Sequence, residues 1–286
     1  MSARPTTFSA PTELGEALRL LGATPRPVIL AGGTDLWPQW TAEPGAPRPA
    51  AVLSLHRLAG LRVIELVDGE TLRIGATCTH RDLVRSELVR SCCPALAEAA
   101  GTIGAIQIQN RGTVGGNIAN GSPAADLPPP LLAAEATVEL ASRAGTREVA
   151  LDRLFTGYRT LDRRPDELLV AVRVPVLPAG ALERFRKVGT RRAQAISKVV
   201  GACRIVLEDG VIARVGLGFG SVGPTPLRLR ELERWLTGRR PDAGTAAEAE
   251  ARAAAAVTPI DDLRSSAEYR QYISGRLVRR WIEELP

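Results

Sequence analysis

The chain has 286 residues, 45% hydrophobic and 24% charged, the make-up of an ordinary globular protein with one large or two medium domains. Its net charge of +6 does not point to nucleic acid: Lys187 and Lys198 are the only lysines, the arginines stand singly among acidic residues, and 4% aromatics are too few to interleave with a basic face. No apolar run approaches the ~20 residues that span a bilayer and no basic-then-apolar leader opens the sequence, so the expectation is a cytoplasmic protein with no nucleic acid partner and no membrane span.

The expected elements follow in chain order. In PTELGEALRLLG, Leu14, Leu18 and Leu21 share one helical face, with Thr12 placed to cap the start and Gly22 to end it. VILAGGTDL is a short apolar strand running into a Gly-Gly turn, and residues 51–55 read as another strand. RVIELVDGETLRIGAT is two alternating runs joined across Asp68-Gly69, a hairpin signal. From about His80 to Ala100 the pattern is helical, interrupted before Pro94. RGTVGGNIANGSPAAD, Arg111 to Asp126, is so poor in apolar side chains that it predicts a loop outside any core. A turn at Pro128–Pro130, a hairpin through TVELASRAGTREVAL and a strand in DELLVAVRVP complete the first part. PVLPAG reads as a linker, with a boundary near residue 178 that divides the chain into 1–177 and 178–286. The second part opens as a strand meander with a turn at Asp209-Gly210. It finishes in helices over PLRLRELERWLTG, residues 245–257 and AEYRQYISGRLVRRWIEEL, an α+β order.

Two segments have the chemistry to hold an anion. AGGTDL and TVGGNIANGSPAAD expose backbone N–H groups through their glycines, and Thr34, Thr113 and Ser122 add hydroxyl donors. Neither contains a lysine, which suits a pyrophosphate held by backbone dipoles rather than a reacting triphosphate. Asp126 suits a sugar-chain hydroxyl. Plain tight turns are the competing reading for both segments, and Asp126 has a second reading as a cap before Pro128. GFGSVG matches G-x-G-x-x-G at Gly218, Gly220 and Gly223, but Pro224 and Pro226 follow where a helix N-terminus is needed, so it reads as a strand end. Cys78, Cys92, Cys93 and Cys203 lack metal-ligand spacing and read as plain thiols; His56 and His80 read as structural.

AGGTDL, LRIGATCTHRDL, IQNRGTVGGNIANGSPAADLPPPLLA, FRKVGTRRAQAISKVVGA, GFGSVGPTPLR and DDLRSSAEYRQYISGRLVRR occur in one order along nearly the full length. In these stretches the chain resembles the FAD-binding medium subunits of molybdenum hydroxylases, the family of carbon monoxide dehydrogenase and xanthine dehydrogenase. The resemblance implies an α+β fold: an FAD-binding domain of the vanillyl-alcohol oxidase (PCMH) type, made of two α+β subdomains, then a small domain of antiparallel sheet and helices. It implies noncovalent FAD, wrapped at the pyrophosphate by Ile29, Leu30, Ala31, Gly32, Gly33, Thr34, Asp35 and Leu36 on one side and by Thr113, Val114, Gly115, Gly116 and Asn117 on the other. Asp126 would hold FAD hydroxyls, Leu169 would give a backbone or apolar contact, and Lys187 would lie near the flavin. Ile103 takes the place of an aromatic found in some members, and Ile196 lies beside the isoalloxazine, where a tyrosine in some members that do not use NAD would cover the ring.

The resemblance further implies no catalytic acid–base pair and no metal on this chain. Its partners would be a molybdenum-cofactor large subunit and a [2Fe–2S] small subunit in a heterotrimer, with electrons passing through FAD to an acceptor such as NAD+. A self-sufficient flavin oxidase of the vanillyl-alcohol type and a cofactor-free scaffold are the alternatives.

Overall fold

A computed structural model describes residues 6–42, 48–176, 180–191 and 193–286. The expected boundary near residue 178 lies outside the described residues. The first part runs β1 (Thr7–Ser9), α1 (Leu14–Leu21), β2 (Val28–Leu30), α2 (Leu36–Thr41), β3 (Ala51–Ser54), β4 (Ile64–Val67), β5 (Thr71–Gly75), α3 (His80–Arg85), α4 (Glu87–Cys92), α5 (Pro94–Gly101), α6 (Ile106–Gln109), α7 (Val114–Ala119) and α8 (Pro128–Ala133). It continues with β6 (Thr137–Ser142), β7 (Gly145–Ala150), α9 (Leu151–Leu154), β8 (Phe155–Gly157), β9 (Thr160–Leu161) and β10 (Leu168–Pro175). The second part is β11 (Leu182–Val188), β12 (Val199–Glu208), β13 (Val211–Gly220), β14 (Leu227–Arg228), α10 (Arg230–Leu236), α11 (Ala243–Ala256) and α12 (Ala267–Glu283).

These elements make a small parallel sheet ordered β1-β3-β2, an antiparallel sheet ordered β4-β5-β10-β6-β7, and an antiparallel sheet ordered β11-β12-β13-β14 in the second part. The β4–β5 hairpin turns at Asp68 and Gly69, both at positive φ, as its Asp-Gly signal predicts. Asp209 and Gly210 do the same between β12 and β13.

The central strand β10 shows how the layers are assembled. Leu168 and Val170 face one core with α1 and β3, whereas Leu169, Val172 and Val174 face the main core under α3, α5, α7 and α8. Strict alternation cannot give this set. The register shift between Leu169 and Ala171 switches the parity, and the carbonyl of Val170 at that bulge accepts from Ala76 N at 2.9 Å.

Three local expectations need correction. The N-cap of α1 is Glu13, with no side-chain cap, so Thr12 does not start that helix; Gly22 does end it. Pro128–Pro130 open helix α8 rather than a turn, because prolines in a first helical turn remove only N–H groups that would lack partners anyway. The glycine-rich stretch contains α7, and its two apolar residues, Val114 and Ile118, are fully buried in the main core. Together they contribute about 3–6 kcal/mol by burial, so this stretch is a core element on one face.

The two parts are joined by backbone contact. On β13, Gly216, Gly218 and Gly220 point to one face; a Cβ on Gly216 would fall on the carbonyl of Ala133, and one on Gly218 on the carbonyl of Pro129. Helix α8 thus lies directly on the strand, and GFGSVG is a packing stripe ending in a turn. An almost fully buried Arg204–Glu183 ion pair sits at the same seam. Arg204 donates to the carbonyls of Pro175 (2.6 Å) and Cys92 (3.0 Å), and Ala95 N donates to Glu183 Oε2 (3.2 Å), which satisfies charges that burial would otherwise penalise.

A side chain at Gly218 should force α8 off the sheet. Gly218→Val is expected to lower unfolding stability by about 3 kcal/mol or more in a denaturant titration, whereas Gly60→Ala, whose methyl would meet open space, changes it by about 0.5 kcal/mol or less.

Candidate functional site

The site begins where β2 ends. Leu30 gives its carbonyl to Leu55 N at 2.9 Å, after which Gly33, at φ +75°, turns the chain so that its own carbonyl accepts from Trp37 N at 2.9 Å. Among the described residues, the amides of Gly32, Gly33, Thr34 and Asp35 have no acceptor. Four successive amides without an acceptor, in a loop half-buried except at exposed Asp35, are the donor set that an anion nest requires. Ile29 and Leu30 lie behind it, partly buried, with Ile29 packed on the first core.

The second glycine segment meets the first through its backbone. A Cβ on Gly32 would fall on the carbonyl of Arg111 and lie 2.9 Å from Gly112 Cα. Behind Arg111, Gly112 rests on the buried ring of His80, whose backbone N–H donates to the Gly112 carbonyl at 3.0 Å. Burial pushes His80 down to about 4, so the ring is neutral and acts as a packing surface.

The expectation of free amides in TVGGN is corrected by the structure. Val114 N donates to the Cys78 carbonyl (2.9 Å), Gly115 N to the Ala76 carbonyl (2.8 Å), Gly116 N to Thr113 Oγ1 (3.1 Å) and Asn117 N to the Thr113 carbonyl (2.9 Å). Thr113 caps α7, which leaves its own hydroxyl proton to donate. A Cβ on buried Gly115 would sit 2.7 Å from Ala76 Cβ, so this glycine is required for packing. Gly116 is exposed, and a Cβ there would meet only Thr113 Oγ1 at 2.9 Å. Asn117 Oδ1 is buried without a partner.

The third segment holds the charge. Pro123 and Ala124 are anchored from the second part by Ser221 N (2.7 Å to the Pro123 carbonyl) and by the Ser197 hydroxyl (3.5 Å to the Ala124 carbonyl). Asp126 is buried and Lys187 nearly so; Lys187 Nζ donates to Asp126 Oδ2 at 2.6 Å and to the Thr102 carbonyl at 3.2 Å. Burial pushes the Asp126 carboxyl up to about 6 against the opposing pull of the Lys187 ammonium. Its second oxygen, Oδ1, is buried and unpartnered. Asp126 does not cap α8, whose N-cap is Leu127 without a side-chain bond, so the capping reading fails.

Half-buried Ile103 follows Thr102 and packs against the main core, and its carbonyl accepts from the buried Gln109 side chain at 3.2 Å. Ile196 is 61% exposed beside Ser197, which rules out a core role. Leu169 is buried in the main core, so only its backbone, next to the bulge, is open to a role outside it. Sequence reading missed the Gln109 side chain, which donates to the Gly101 and Ile103 carbonyls, and the Thr102 carbonyl, which as a backbone acceptor has no residue identity.

The structure thus separates two glycines that look alike in the sequence. Gly115→Val is expected to cost about 3 kcal/mol in thermal or denaturant unfolding, since it drives a side chain into Ala76. Gly116→Val should leave the chain folded and weaken the binding of the expected flavin about ten-fold or more by fluorescence titration, by filling the open face of the cradle. Unchanged flavin affinity in Gly116→Val would favour the plain-turn reading.

The family model described as "FAD binding domain in molybdopterin dehydrogenase" matches residues 4–177, and that described as "CO dehydrogenase flavoprotein C-terminal domain" matches residues 184–285. The carbon monoxide dehydrogenase medium chain of Hydrogenophaga pseudoflava is 34% identical over 277 residues, covering 96% of this chain and 94% of its own. The xanthine dehydrogenase FAD-binding subunit of Escherichia coli O157:H7 is 32% identical over 272 residues, covering 95% and 92%. A solved carbon monoxide dehydrogenase from Hydrogenophaga pseudoflava superposes with a TM-score of 0.90 at 32% identity, covering 98% of this chain and 96% of that one. The chain belongs to the family of FAD-binding medium subunits of molybdenum hydroxylases, oxidoreductases for which FAD is the cofactor of this subunit.

Proposed function

We propose that this chain is the FAD-binding electron-transfer subunit of a multi-subunit molybdenum-containing dehydrogenase. In this reading a large subunit carries the molybdenum cofactor, a small subunit carries [2Fe–2S] centres, and electrons reach NAD+ through the FAD held here. The observation that carries it is the conjunction, within one chain, of four free amides at Gly32–Asp35 and a buried carboxylate at Asp126 with one unpartnered oxygen. The relatives' names support the partners, since they describe medium chains and FAD-binding subunits of larger enzymes. The four free cysteines, three of them buried, suit a reducing compartment and support the cytoplasm as its location.

The chain's own residues have distinct tasks in this reading. The amides of Gly32–Asp35 bind the pyrophosphate, and the backbone of Ala31 and Leu36 carries that loop between strand and helix. Thr113, by its hydroxyl, and Asn117, by Oδ1, line the opposite wall with the exposed face of Gly116. Val114 and Gly115 hold that wall to the core. Asp126 Oδ1 accepts from a sugar-chain hydroxyl, and Ile103 and Ile196 flank the ring. Bound in this way, FAD supplies the exchange between one-electron and two-electron carriers, and the protein supplies its orientation.

The NAD+ assignment rests on Ile196. An exposed isoleucine beside Ser197 leaves more of the ring face open than a stacked tyrosine would. In the complex reconstituted with its partner subunits and organic substrate, the expectation is NADH formation. Ile196→Tyr should cut that rate about ten-fold while leaving reduction of an artificial dye within about two-fold of the parent. Fast dye reduction with no NADH from the unsubstituted complex would reject NAD+ and point to a quinone, a carrier protein or oxygen.

A further inference from the structure

The Lys187–Asp126 pair has a feature that a simple line of contacts to a flavin does not explain. Lys187 lies on β11 in the second part, and Asp126 ends the Ser122–Asp126 segment of the first, 61 residues away in sequence. The ammonium is nearly buried, and two of its three protons are already committed, to Asp126 Oδ2 at 2.6 Å and to the Thr102 carbonyl at 3.2 Å. The carboxylate is equally buried, with Oδ1 left free of any donor. A buried carboxylate with an idle oxygen is costly to keep ionised, and burial alone would leave it protonated well above the ordinary range. Lys187 is the one charged group among the described residues that acts on it. The other hydrogen-bond partners of the segment and of Lys187 are uncharged, namely Ser221 N, the Ser197 hydroxyl and the Thr102 carbonyl; other cations nearby are Arg270, on the Ser221 carbonyl, and Arg159, beside Gly121.

We propose that Lys187 is a positioning residue that acts on FAD through Asp126: it occupies Oδ2, keeps the carboxylate ionised, and so leaves Oδ1 as a fixed acceptor for one hydroxyl of the FAD sugar chains. This rests on the reading of Asp126 as part of the FAD site. The geometry assigns Lys187 to the carboxylate and not to the flavin ring. It also makes the contact between the two parts of the chain a component of cofactor binding, since β11 carries the cation and the first part carries the acceptor.

The consequence is a pH dependence with a defined sign. A hydroxyl donor binds the ionised carboxylate, so FAD affinity is full above the Asp126 pKa of about 6 and declines as pH falls through it. Removing the ammonium removes the one influence that lowers this pKa, so the decline should begin at higher pH.

The test is FAD titration of the flavin-depleted full chain from mildly acid to alkaline pH, followed by flavin fluorescence. Asp126→Asn, locked in the uncharged form, should bind FAD about ten-fold more weakly above pH 6 and lose the pH dependence. Lys187→Gln should shift the decline upward in pH. Lys187→Arg should restore the parent profile. The double variant Lys187→Gln, Asp126→Asn leaves no unpaired buried charge and should bind no more weakly than Asp126→Asn alone.

The inference is overturned if Lys187→Gln weakens FAD by one factor at every pH, if it has no effect, or if the losses in the double variant multiply. Those results with a weakened Asp126→Asn overturn only the role of Lys187. An Asp126→Asn variant that binds FAD like the parent at every pH overturns the site reading as well.

Discussion

The site depends on a contact between two stretches of backbone with no side chain between them. The α-carbon of Gly32 rests on the carbonyl of Arg111, and on the far side of that segment Gly112 rests on the His80 ring. One methyl at either glycine would separate the layers. This approach brings the free amides after β2 against the wall built on α7, and it accounts for glycine at positions that have no unusual backbone angle. Gly33 answers a different need, a turn through left-handed backbone that glycine adopts without strain.

The two walls of the cradle work by opposite means. Among the described residues the Gly32–Asp35 amides have no acceptor, so this loop is the donor surface that the proposed pyrophosphate would complete. The other wall spends the amides of Val114, Gly115, Gly116 and Asn117 on Cys78, Ala76 and the Thr113 cap, so these are held whether or not a ligand is present. Rigidity passes inward from there: Gly115 is tied to Ala76, and Ala76 is tied to Val170 at the bulge of the central strand. The bulge that sorts β10 side chains between two cores therefore also fixes the depth at which α7 sits. A single buried ion pair, Asp126 with Lys187, supplies charge at the other end of the site, and neither partner belongs to the anion nest.

Much of this was legible in the sequence, for identifiable reasons. Hairpins at Asp68-Gly69 and Asp209-Gly210 follow from residues that tolerate positive φ, and the terminal helices follow from their apolar spacing. Composition picked out both glycine segments and set Asp126 apart as the odd charge. Composition could not say which glycine is tied to packing and which is open, because that depends on what lies 3 Å away: Ala76 in the core for buried Gly115, and only the Thr113 hydroxyl for exposed Gly116. Helix α7 was hidden because two apolar residues at i and i+4, Val114 and Ile118, are too few to register as a pattern, though both are fully buried. The fingerprint-like match at Gly218, Gly220 and Gly223 overlaps the strand stripe Gly216, Gly218 and Gly220. The period of two in that stripe is that of a strand face, and helix α8 is the partner admitted at Gly216 and Gly218.

Amide hydrogen exchange resolved to single residues, with and without FAD, tests the division between the two walls most directly. The amides of Gly32, Gly33, Thr34 and Asp35 should exchange fast in the flavin-free chain and become protected when FAD binds. Those of Val114 and Gly115 should be protected in both states by their bonds to Cys78 and Ala76. FAD binding that leaves the Gly32–Asp35 amides in fast exchange would contradict the account.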